Sequence, residues 1–301
     1  MFGGVGCVAD VGDEENVGND ESAVQNVDIA PNGRGFATRV VHNEAGGKPK
    51  AGNGISFHGG PVMLGTVHLY YIWYGNWAGN TATSILTDFG NNIGGSPYWN
   101  INTTYNNGSG TNLSNSVTLA GQTNYPVGGG AYSTSLTDAA IQSVVSSVIT
   151  SGALPKDANG IYFVLTSADV TASSGFCTQY CGWHTHATIG GTDIKYSFVG
   201  NPDRCPSSCE QQSASSPNGN PGADGMASIL AHEAEEAATD PDLNAWYDSR
   251  GYENADKCAW TFGTTQSAGN GSIYNMTLGN RNYLIQQNWV NAAGGYCAKS
   301  Y

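Results

Sequence analysis

The chain has 301 residues, 39% of them hydrophobic and 10% aromatic, which is enough to bury a substantial core and excludes disorder throughout. Its 24 acidic residues against 11 basic ones give a formal charge of −13, which opposes phosphate backbones and anionic lipid surfaces and speaks against a nucleic-acid partner. No long apolar run encodes a membrane span, and Met1-Phe2-Gly3-Gly4 lacks the basic start and apolar middle of a signal peptide.

In chain order, residues 1–52 are rich in Gly, Asn, Val, Asp and Glu without a helical stripe, and are expected to form an extended acidic N-terminal arm. Such an arm is ordered only where something holds it. Self-association through residues 1–52 is one way, with a segment such as Gly35-Phe36-Ala37-Thr38-Arg39-Val40-Val41 adding to a sheet edge.

The compact domain is expected over 53–301. It opens on Ile55–Met63 and leads into Val67–Trp77, an apolar and aromatic run that reads as a buried strand. A helix follows over Ala82–Ile93, with Ile85, Leu86, Phe89 and Ile93 on one face and Gly94-Gly95 as its stop. Residues 102–130 read as polar loops around a short strand at Val117–Leu119. Thr137 caps a second helix over Asp138–Ser151, and Ile161–Leu165 is the next strand. Alternation of strand and helix points to a layered α/β or α+β domain.

Cysteine usage changes the picture in the second half. Cys177, Cys181, Cys205, Cys209, Cys258 and Cys297 suffice for three disulfides and imply an oxidising compartment, with Cys7 left over. A Cys258–Cys297 bridge would tether the C-terminus, and the other four allow three connectivities. Sequons at Asn102, Asn107, Asn112, Asn270 and Asn275 are candidates for glycosylation, as in a glycoprotein. Between the cysteines, His184 and His186 share one face of an extended segment and could reach a common metal or hydrogen-bond a substrate. Asp193–Phe198 alternates as a strand bordering the cleft.

The densest chemistry lies between Ala223 and Asp256. Asp224 as cap, Met226, Ile229 and Leu230 as apolar face and Pro241 as terminator predict a helix over Gly225–Thr239. Residues four apart project side by side, so His232 and Glu236 are paired as candidate metal ligands, with Glu233 at the position of a general base. One histidine and eight carboxylates fall between His232 and Asp256 in a chain only 12% charged, and crowding carboxylates without a cation costs repulsion energy.

This H-E-x-x-E run, followed by Glu253-Asn254-Ala255-Asp256, resembles the thermolysin-like zincins, or gluzincins. That resemblance implies Glu253 as third ligand and Asp256 as the group steadying His232. A longer resemblance covers nearly everything from Ile55 to Tyr301. The runs His58–Val62, Ile72–Trp77, Leu165–Val170, Gly175–Cys177, Cys181-Gly182 and Val199–Asn201 are similar to the EXORDIUM (phosphate-induced protein) family of plant cell walls, of which this chain looks like a microbial-type member. The family implies a secreted wall or matrix protein linked to growth.

Taken together, these readings predict a zincin-like mixed sheet with flanking helices, loop-rich and disulfide-bonded, in an extracellular, cell-surface or cell-wall setting with a polysaccharide or glycan matrix as partner. Its divalent metal site, zinc first and calcium second, would be of metallopeptidase type, Glu233 activating water and His184 or His186 stabilising the oxyanion. The alternative is a non-catalytic structural subunit of an extracellular filament or matrix, assembled through the arm.

Overall fold

The computed structural model describes Phe36, Arg39 and residues 54–301. The rest of the arm, with Cys7 and most of the strand expected over 35–41, lies outside the described residues; within that span Arg39 is helical and Phe36 irregular, so neither is in the expected strand.

The elements that carry the fold are β1 (Val67–Tyr74), α1 (Ala82–Asn92), β2 (Val117–Tyr125), α2 (Asp138–Thr150), β3 (Gly160–Thr166), β4 (Gly182–Ile189), β5 (Thr192–Val199) and α3 (Pro221–Thr239). The strands form one five-stranded mixed sheet in the order β2-β1-β3-β5-β4. β2, β1, β3 and β5 run parallel, and β4 pairs antiparallel with β5 at the edge. From β1 the chain crosses outward to β2, then back over β1 to β3. Right-handed crossovers in opposite directions place α1 and α2 on opposite faces. α3 packs beside α1 and against β4 and β5.

β1 and β3 are apolar along nearly their whole length because helices cover both faces. β1 ends sooner than the sequence predicts. Gly75 turns the chain at φ 106°, and a Cβ there would fall 2.0 Å from Ser167 Oγ, so only glycine lets the chain leave the sheet at this point. β2 is longer than expected and reaches Tyr125, since as an edge strand it needs apolar residues only at alternate positions.

Thr137 caps α2 as predicted, its hydroxyl accepting from Ala140 N. α3 begins earlier than predicted, at Pro221, with the Asn220 side chain accepting from Ala223 N. Asp224 lies inside the helix and accepts instead from Asn218 N and Nδ2. From Gly222 to Thr239 every residue of α3 is buried. Its many alanines and glycines are therefore interior packing that lets neighbouring backbones approach.

C-terminal to α3 the chain makes three small antiparallel pairs, Gln266–Ser267 with Ile273–Tyr274, Met276–Leu278 with Arg281–Tyr283, and Asn288–Val290 with Tyr296–Ala298. Asp256–Cys258 form a 3-10 turn, followed by irregular chain over 259–265. Disulfides join Cys177 to Cys205, Cys181 to Cys209 and Cys258 to Cys297. No helix among the described residues is long and apolar enough to cross a membrane.

Candidate metal centre

α3 places His232 and Glu236 one turn apart, and His232 Nε2 lies 2.9 Å from Glu236 Oε1. Asp256 Oδ1 stands 3.6 Å from the same nitrogen. The segment that brings Asp256 there is locked to the helix by its own backbone, Asp256 N donating to Glu236 Oε1 at 3.0 Å and Glu253 N to Asp256 Oδ2 at 3.1 Å. From the sheet, β4 inserts His184. Its Nδ1 is 3.4 Å from Glu233 Oε2 and 3.6 Å from Glu236 Oε2, and its Nε2 is 3.9 Å from Glu253 Oε1. His184 thus stands among three glutamates, and Glu236 is shared between both histidines.

Two sets of donor atoms converge closely enough for one ion, His184 with Glu233 and Glu236, and His232 with Glu236 and Asp256. Glu253 approaches on the far ring nitrogen of His184 and belongs to neither set. Asp256 meets His232 on the inward nitrogen, beside Glu236. The outward nitrogen is held by Gln286, whose Nε2 lies 2.8 Å from His232 Nδ1 and also donates to Ala255 O at 3.1 Å. Sequence reading passes over Gln286, which sits inside an aromatic run and carries no spacing signal. It passes over Phe36 too, which reads as part of a loose arm.

His184, His232, Glu233, Glu236 and Glu253 have no exposed surface. In this dry setting charge is rationed. Burial works to raise Glu236, but His232 first and then His184, standing beside it, outweigh burial and hold that carboxyl down at about 2. Burial and then the Glu236 charge push Asp256 up to about 8, and burial raises Glu233 as well. Burial alone would lower His232, yet the carboxylates of Glu236 and Asp256 hold it well above its ordinary value. The centre therefore holds the Glu236 carboxyl low and the Asp256 carboxyl high, a separation set by which of them the histidines face.

His186 lies one step along β4 and belongs to a different, half-buried group. Its Nδ1 is 2.8 Å from Asp193 Oδ1 and 3.7 Å from Asp242 Oδ1, while Lys195 Nζ reaches the same two carboxylates at 2.7 and 3.5 Å. Lys195 supplies positive charge to that pair of carboxylates.

The sequons divide by surroundings. Asn112 and Asn270 are exposed and Asn107 is partly so. Asn275 commits its amide to Phe262 O, Ile285 O and Ile285 N, and Asn102 is fully buried, so a glycan at either position would require the core to open.

Residues 55–298 match the family described as the phosphate-induced protein 1 conserved region. Protein EXORDIUM-like 3 of Arabidopsis thaliana is 34% identical over 284 residues, covering 81% of this chain and 82% of its own length. Protein EXORDIUM-like 5 of the same plant is 32% identical over 275 residues, covering 78% and 75%. Protein PHOSPHATE-INDUCED 1 of Nicotiana tabacum is 28% identical over 223 residues, covering 64% and 67%. No solved structure matches the chain.

Proposed function

The chain belongs to the phosphate-induced protein 1 (EXORDIUM) family, and from that premise we propose that it is a secreted family member whose buried centre binds one divalent cation, zinc before calcium, as a site of metallopeptidase type. The ligands are His232 and Glu236, with a carboxylate from the turn carrying Glu253 and Asp256 as the third. Asp256 is the nearer of the two to His232.

One observation carries the metal reading. Glu236 is fully buried and ionised, yet its Oε2 lacks a hydrogen-bond partner, with His184 Nδ1 standing 3.6 Å away. A buried carboxylate oxygen left so is costly. An imidazole nitrogen with carboxylate oxygens suits zinc, whereas calcium takes six to eight oxygens and gains nothing from a histidine. Bound there, the ion would act as a Lewis acid and lower the pKa of a water. Of the chain's own groups, Gln286 orients His232, and Glu233 lies on the helix beside the ligands, free of them, where a carboxylate can take and return a proton. Three disulfides accord with an extracellular setting, in which exposed Asn112 and Asn270 are the more accessible glycan positions and a glycan matrix the expected surroundings.

Stripping the protein with chelator and titrating zinc back tests the reading. Wild type is expected to take up one zinc per chain, and the double variant His232→Ala/Glu236→Ala to bind at least a hundredfold more weakly. Absence of uptake by wild type, or equal uptake by both, rejects it. With zinc bound, hydrolysis of a mixed peptide library that is lost in Glu233→Gln would make the site a peptidase. Assembly into a fibre through residues 1–52 is the competing reading. It has lost two residues to the fold, since Phe36 and Arg39 dock on their own domain.

A further inference from the structure

Phe36 reaches the centre from the arm, nearly two hundred residues away in sequence from the helix it touches. Its backbone N–H donates to Glu233 Oε1 at 3.0 Å. Its carbonyl accepts from Cys181 N at 2.7 Å, immediately before β4 begins. The ring is fully buried, with its centroid 5.0 Å from that of His232 and 5.0 Å from that of Trp260, both edge to face. Trp260 adopts φ 58°, a conformation that bulky residues avoid, and in doing so turns its ring to this pocket. Three residues on, Arg39 stacks its guanidinium 4.8 Å above the same indole and donates to Glu210 O at 2.6 Å.

The residue is therefore gripped in three ways at once, through its N–H, its C=O and its side chain. The N–H contact is the informative one. Hydrolysis of a peptide bond adds the hydroxyl of water to the carbonyl carbon, breaks the C–N bond and delivers the remaining proton to the nitrogen. A carboxylate that shuttles that proton must lie against the nitrogen of the residue following the bond. In the intact peptide the Phe36 N–H donates to Glu233, and the same 3.0 Å contact would let the carboxyl return a proton to that nitrogen once it becomes pyramidal.

We propose that Phe36 occupies a ligand subsite, so that the site accepts a peptide with an aromatic side chain immediately after the bond facing Glu233, and the chain's own arm competes for it. The proposal rests on the peptidase-type reading of the centre and adds the class of substrate and the means by which it is held off. An arm tethered in the same chain competes at an effective concentration on the order of millimolar, so a free peptide meets an occupied site.

The test uses the full chain with chelator present and the peptide acetyl-Gly-Phe-Ala-Thr-Arg-amide, which copies Gly35–Arg39, as probe in calorimetric titration. Phe36→Ala is expected to bind it at least tenfold more tightly than wild type. The same peptide with alanine in place of phenylalanine should bind that variant at least tenfold more weakly. Arg39→Ala, which leaves Phe36 in place but removes its tether to Trp260 and Glu210, should give a smaller gain and serves where Phe36→Ala does not fold. No gain in either variant, or equal binding of the two peptides, overturns the proposal. Because no metal enters this measurement, its failure leaves the zinc titration standing, and failure of the zinc titration leaves the peptide result standing.

Discussion

Glu210 is a buried carboxyl, 3% exposed, that shares its surroundings with Asp203. Burial first and the neighbouring carboxylate second push it up to about 7 from an ordinary value of 4.5. Between those values the folded chain keeps a proton that the unfolded chain gives up, so the contribution is full below about 4.5 and is lost as pH rises through about 7. Glu210→Gln should remove that slope and leave the protein more stable at pH 8 by on the order of 1 kcal/mol, after allowance for solvent screening, as read from urea unfolding at several pH values. At the centre, Gln286→Leu deletes the donor on His232 Nδ1 while keeping the bulk, and is expected to weaken zinc binding by roughly tenfold to a hundredfold in competition with a chromogenic chelator. The contrast between Gln286 and His232 marks what sequence can give at this scale. His232 and Glu236 are legible because helical spacing alone brings them together. Gln286 reaches them only because the chain between Tyr283 and Asn288 leaves strand geometry and its backbone N donates to Ser228 Oγ at 3.1 Å, a tertiary event with no local pattern.

Among elements, the contact of β4 with α3 is the one on which the centre depends, since it alone brings His184 to the glutamates. Gly182 sets how close they come. A Cβ at this position would meet Ile229 Cγ2 at 2.5 Å, Phe198 O at 3.0 Å and Glu233 Oε1 at 3.2 Å. Gly182→Ala should therefore cost about 1–3 kcal/mol in denaturant unfolding and weaken zinc uptake in the same variant, because the strand must retreat from the helix. The second helix and the interior strands were legible from their apolar stripes and caps. The start of α3 was not, because Asp224 has the composition of a cap but spends its carboxylate on Asn218, and Asn220 takes the capping role. Nor were the short C-terminal pairs, which follow from what the sheet and α3 leave for them to cover.

At the scale of the whole molecule the three bridges lie in the second half, around the centre. Cys258–Cys297 closes a separation of 39 residues and ties the last hairpin to the turn that carries Asp256. Its removal by paired serine substitution should lower stability by about 2–4 kcal/mol in denaturant titration, with zinc affinity falling as the turn loosens. Cysteine count alone made three bridges legible. Which of the three connectivities joined the remaining four was not, because pairing depends on how β4 and β5 return the chain to its starting point.

That return gives both other bridges the same separation, 28 residues, and sets them side by side as rungs, 177 to 205 and 181 to 209. In a reduced chain the opposite choice is nearer to hand. Cys177 meets Cys181, and Cys205 meets Cys209, across loops of four residues, and loop closure favours these contacts by about 2 kcal/mol over a 28-residue span before chain stiffness is counted. The rungs therefore cannot be reliably assembled by first collision. They become the preferred partners only after the β4–β5 hairpin has brought both ends together, so oxidative refolding should pass through thiol exchange and gain speed from a disulfide isomerase.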